Sequence, residues 1–201
     1  MDALERRVRQ LNDRVPRTGA AYVLYWVQAN RRADSNHALE WAVRLANEFG
    51  LPLLVYEGLT CSYPNANRRL HTFVLEGVPE LGADLRRTGA GYFFYLRRNA
   101  RDPNDVLYRL AARAAFLVTD DFPSFNVADH NRRVPQRLDI PYYVVDSSCI
   151  VPMNVHEKRA WAAYTIRPKI HRELPNWLSG GAHLLPLQQL WAGGACVPSI
   201  G

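Results

Sequence analysis

A chain of 201 residues with 48% hydrophobic and 22% charged residues has enough apolar surface for one sizeable core, which excludes both a disordered chain and a pair of full-sized domains. Its net charge of +6 comes almost wholly from arginine, because Lys158 and Lys169 are the only lysines; this balance permits a phosphate- or carboxylate-bearing partner without requiring one. Three scattered cysteines, Cys61, Cys149 and Cys196, give neither a disulfide framework nor a zinc motif, and neither a signal peptide nor a run of about 18 apolar residues is present, so a cytoplasmic location and no membrane contact are expected.

Residues 1–19 are charged and read as a helical arm. The β-branched and aromatic run "AYVLYWVQ" (21–28) predicts a first strand. A helix follows from Ser35 to Phe49, with Ala38, Trp41, Ala42, Leu45, Ala46 and Phe49 on one face. Asp34 or Ser35 can cap it and Gly50 can close it. "LPLLVYEG" (51–58) gives a second strand. The polar loop "LTCSYPNAN" leads into a helix over 68–87 that Pro79 should kink or divide. "YFFYLRR" (92–98) is a third strand, and the next helix opens with Asp102 as cap and Pro103 as its first residue. "AFLVTD" (115–120) and "IPYYVVD" (140–146) supply strands four and five.

Strands alternating with helices in this way predict an α/β fold: a Rossmann-like, doubly wound, five-stranded parallel sheet in the order 3-2-1-4-5. It should occupy residues 20–155, followed by connector helices over 156–178 and a Gly- and Ala-rich tail, 179–201, expected to be poorly ordered.

Ligands of such sheets sit beyond the carboxyl ends of the strands, at the switch point between strands one and four. That rule selects "QANRRADSN" (28–36) and "DDFPSF" (120–125). The candidate binding residues are Trp26, Gln28, Ala29, Asn30, Arg31, Arg32, Asn36, Asp120, Asp121 and Phe122. A carboxylate at Asp120 or Asp121 can accept from a ligand hydroxyl or ring N–H, or cap the next helix. Arg31 and Arg32 can reach an anionic ligand or face water. No catalytic residue is assigned. G-x-G-x-x-G, the P-loop and G-x-S-x-G are all missing, and the six histidines have no H-x-x-x-H spacing for a metal. Cys149 lacks a local partner that would lower its pKa.

Several stretches, read in order, carry a resemblance. They are "YVLYWVQANRRADSNHALEWAVRLANEFGLPLLV" (22–55), "GLTCSYPNANRRLHTFVLEG" (58–77), "VTDD" (118–121), "IVP" (150–152) and "AAYTIRPKI" (162–170). Together they resemble the N-terminal domain of class II DNA photolyases, flavoproteins that split cyclobutane pyrimidine dimers with light, over residues 5–178. The resemblance implies an α/β domain that packs against a larger helical domain, with a deazaflavin or folate antenna chromophore between them. It places FAD, the electron-transfer tryptophans and the pocket for the flipped dimer on the helical domain, so FAD and unaided repair are not expected of this chain. Two stretches depart from the family pattern. Arg69, Leu70 and His71 stand where the family tends to read R-H-Y, and Ala160, Trp161 and Tyr164 replace polar or charged positions. The implied partner is a separate FAD-binding helical domain, or a second copy of the chain meeting an exposed face, with weak or indirect contact to DNA. Two other readings stand beside this one: a nucleic-acid or protein interaction module without catalysis, and a degenerate, truncated photolyase.

Overall fold

The five hydrophobic runs become five parallel strands in a computed structural model, which describes residues 2–156, 158, 160–178 and 181–193. In chain order the strands are β1 (Val8–Gln10), β2 (Tyr22–Val27), β3 (Leu53–Thr60), β4 (Gly91–Arg97), β5 (Ala114–Asp120) and β6 (Tyr142–Val145). They lie in one sheet in the order β1-β6-β5-β2-β3-β4. The order 4-3-2-5-6 of the five parallel strands is the predicted one. The sixth strand corrects the prediction, because residues 1–19 are not a helical arm. After a single 3-10 turn at Glu5–Arg7, the chain extends as β1 and pairs antiparallel with β6, Val8 opposite Val145 and Gln10 opposite Tyr143. The edge of β6 needs partners for its backbone, and a long-range pairing of this kind leaves no mark in a locally charged sequence.

Every residue of β2 and β5 is buried, as expected for central strands covered on both faces. On one face, α1 (His37–Glu48) and α2 (Arg68–Arg87) enclose Val23, Tyr25, Val55 and Phe116. On the other, α3 (Val106–Ala111) and the residues that follow α4 (Phe125–Arg133) enclose Tyr22, Leu24, Leu117 and Tyr142. Asn36, rather than Asp34 or Ser35, caps α1, its side chain accepting from the amides of Ala38 and Leu39. Pro79 lies inside α2 without dividing it. Helix α3 begins three residues beyond Pro103; Asp102 instead accepts from the Arg98 amide at 2.8 Å and the Asn99 side chain at 3.1 Å, closing the turn after β4. Helix α5 (Ala163–Glu173), in the connector, has no buried residue. Trp161 is 84% and Tyr164 69% exposed, so these substituted side chains face solvent and cover nothing.

Residues 181–193 depart from the expected disorder, whereas 179, 180 and 194–201 lie outside the described residues. Leu187 is buried in the cluster beneath α1 and α2. Asn47 fixes the segment by accepting from the Gln188 amide at 2.9 Å and donating to the Pro186 carbonyl at 3.0 Å. Trp191 meets the edge of Tyr22 at 5.8 Å and lies against Gly91, where a Cβ would come within 2.4 Å of the indole. The segment therefore crosses the amino end of β4 and packs on both sides of it. Among the described residues, no helix is long and apolar enough to cross a membrane. Leu187→Ala should cost about 2–3 kcal/mol through the cavity it leaves, read as a lower urea midpoint with an unchanged slope.

Candidate functional site

The switch point between β2 and β5 is closed by a single carboxylate. Asp120 ends β5 with no exposed surface. Its Oδ2 accepts from three successive amides, Gln28 at 2.9 Å, Ala29 at 2.7 Å and Asn30 at 3.2 Å. Its Oδ1 accepts from the Asn30 side chain at 3.0 Å and the Tyr25 hydroxyl at 3.2 Å. A buried carboxylate is tolerable only when donors replace the water it has lost, and here they wrap the loop after β2 around it. The Tyr25 hydroxyl is held strongly protonated, first by its burial and then by the Asp120 charge. Asn36 completes the turn, its amide group donating to the Tyr25 hydroxyl at 3.0 Å and to the carbonyls of Asn30 and Arg32.

The charged candidates beside this loop are also occupied. Arg31 pairs with Glu57 of β3 at 2.5 Å and donates to the Val74 carbonyl of α2 at 2.9 Å. Arg32 donates to the Ser147 carbonyl at 3.2 Å. Asp121 pairs with Arg9 of β1 at 2.7 Å. Phe122 lines a separate hollow with Arg9 and Asp121. The Cys149 thiol is pushed up by burial and by Asp146, against any use as a nucleophile.

A cavity of about 500 Å³ opens instead on the α3 and α4 side of the sheet, over the carboxyl ends of β2, β3 and β4. Its walls include Trp26, Tyr56, Tyr95 and His130. Helix α3 has only six residues, too few to cover the ends of β3 and β4. The register places Trp26 beside Tyr56, Tyr56 beside Phe93 and Gly58 beside Tyr95, so the aromatic rings share one face of the sheet. A Cβ on Gly58 would lie 2.6 Å from the Tyr56 hydroxyl, and the glycine keeps that part of the site open.

The imidazole of His130 lies 5.1 Å from the Trp26 ring, tilted by 35°, and a relay fixes its protonation. The Thr119 hydroxyl donates to the Trp26 carbonyl at 2.8 Å, so it must accept from the Gln28 Nε2 at 2.9 Å. Gln28 Oε1 then faces His130 Nδ1 at 2.7 Å and accepts a hydrogen bond from its N–H. The neutral ring is left with Nε2 as an acceptor for a ligand donor. Burial lowers the His130 pKa, helped by Arg133 and opposed by Asp129.

Of the predicted residues, Trp26 lines this cavity and Gln28 orients its histidine, while Ala29, Asn30, Asn36 and Asp120 build the loop behind them. Tyr56, Tyr95, His130, Arg97, Arg133 and Arg137 were not predicted and line the cavity. The alternation of Phe93 and Tyr95 in the third strand was the available signal, and it became readable only with the register against Tyr56.

Asp120→Asn turns an NH2 donor toward groups that are themselves donors and should cost roughly 2–4 kcal/mol, with faster hydrogen exchange at the amides of residues 28–30. For His130, an NMR titration should give a midpoint below the ordinary value of about 6.5. The unfolded state then binds its proton first on acidification. Its stabilising contribution is therefore present above the ordinary pKa and lost as pH falls through the lower folded value. His130→Gln should remove that acid sensitivity from the unfolding midpoint.

The family described as DNA photolyase matches residues 23–186. The chain is 36% identical over 173 residues to the deoxyribodipyrimidine photo-lyase of Methanothermobacter thermautotrophicus, covering 86% of this chain and 38% of that protein. It is 31% identical over 176 residues to the protein of the same name from Arabidopsis thaliana, covering 85% and 35%. A universal stress protein structure from Archaeoglobus fulgidus is similar at a TM-score of 0.44 and 15% identity, over 62% of this chain and 98% of that one. The chain thus spans little more than a third of the length of these two curated relatives. With its α/β sheet, the match over most of its length and relatives at 36% and 31% identity, this chain belongs to the DNA photolyase family.

Proposed function

We propose that the chain is a chromophore-binding unit of photolyase-type DNA repair, holding a deazaflavin or folate in the cavity over β2, β3 and β4 and passing light energy to a repair centre on an FAD-carrying helical unit. One observation carries the reading: Trp26 and His130, their rings 5.1 Å apart, stand with Tyr56 and Tyr95 around a space of about 500 Å³. That volume falls within the range for small-molecule sites, which are mostly apolar with a few placed polar groups. Aromatic walls suit a flat heteroaromatic ring through offset and edge contacts. His130 Nε2 can accept from a ring N–H or hydroxyl, and its orientation is fixed before any ligand arrives.

The family's repair chemistry needs an electron donor and a pocket for a flipped base, and these are assigned to the partner unit.

The test is a visible absorption spectrum of the protein purified from its own cells, followed by titration with a deazaflavin and a reduced folate. Absorbance above the tryptophan band and saturable binding are expected. Tyr95→Ala should weaken binding by roughly tenfold, the order expected for loss of one stacking partner. A colourless protein that binds neither compound overturns the proposal.

A further inference from the structure

We infer that the chromophore of this cavity bears an anionic tail, held by Arg97 and Arg137 at the cavity wall; this rests on the chromophore reading above. The charge on that wall is one-sided. Arg97, Arg133 and Arg137 all line the cavity, and no aspartate or glutamate is among its described lining residues. Elsewhere, arginines are matched locally, Arg9 to Asp121, Arg31 to Glu57, Arg44 to Asp2 and Arg109 to Asp105. Arg133 is matched in the same way, 3.1 Å from Asp129.

The other two are not. Arg97 is half-buried, and its guanidinium donates to the carbonyls of Asp102 at 3.0 Å and Ala100 at 3.1 Å. Those neutral acceptors aim the group without cancelling its charge. Arg137 lies over the Tyr108 ring at 4.2 Å, a contact that orients a planar cation and leaves its edge free to donate. Among the described residues, neither has a carboxylate oxygen within the 4.0 Å of an ion pair. An oriented guanidinium is a bidentate receptor for phosphate or carboxylate. With aromatic rings on the strands and two unmatched guanidinium groups beside them, Arg97 at the carboxyl end of β4 and Arg137 in the turn Pro135–Arg137, the cavity fits an amphipathic ligand, flat at one end and anionic at the other.

Paired probes separate the ring from the tail. Riboflavin and FMN share one ring system and differ by a phosphate; folates with one and with three glutamates share a pterin and differ by two γ-linked glutamates, each adding one carboxylate, so the second member of each pair is the more anionic. Binding to the full chain is read by fluorescence quenching at low salt and in 0.5 M salt. The more anionic member of at least one pair should bind about tenfold more tightly at low salt, as a charge-assisted contact at a partly exposed site provides, and lose most of that advantage at high salt. The pair that shows the effect identifies the anion. Arg97→Gln and Arg137→Gln should each bring the ratio toward one; among the described residues the Arg137 guanidinium makes no hydrogen bond, so its variant remains informative if the Arg97 variant unfolds. Equal affinities within both pairs, or a preference that both variants leave intact, overturn the inference while the chromophore reading stands. Failure of every probe and of the deazaflavin to bind overturns both.

Discussion

The Asp120 carboxylate cannot be buried at the end of the central strand without donors, and the loop after β2 exists in its present shape because it supplies them. Three consecutive amides, one side-chain amide and a tyrosine hydroxyl converge on it. This replaces the usual arrangement in which such a loop is glycine-rich and wraps an anion from outside. Those amides are spent on the protein itself.

The aromatic cavity lies on the other side of the sheet from this turn. Gln28 joins the two regions: its backbone N–H belongs to the Asp120 turn, and its side chain holds His130 at the wall of the aromatic cavity. The tautomer of that imidazole is set through Gln28 by the Thr119 hydroxyl, which donates to the Trp26 carbonyl. The short α3 leaves the ends of β3 and β4 open, and the arginines of the loop and helix rim give that opening its charge.

Residues 7–10 and 181–193 are tied to the same sheet. Residues 8–10 cover the edge of β6, and buried Arg7 donates to the carbonyls of Asp146, Cys149 and Ile150 while packing beneath Trp177. Residues 181–193 cross the amino end of β4, away from the cavity. The connector between them, α5, buries nothing of its own.

The sequence by itself determined the layered α/β fold, the order of the five parallel strands, the long helices and the family, because hydrophobic periodicity and crossover handedness are local or nearly local properties. It also located the loop after β2, through its polar residues at the end of the first strand. What it could not separate was a carboxylate that binds a ligand from one that holds a loop, since both require an aspartate at the end of a strand. Only the tertiary structure decided that Asp120 faces inward, that Trp26, Tyr56 and Tyr95 share one face, and that His130 from a distant helix meets them. The reason is physical: register and burial depend on which strands become neighbours, and the sixth strand and the packed tail arise from contacts spanning more than a hundred residues that no local pattern encodes.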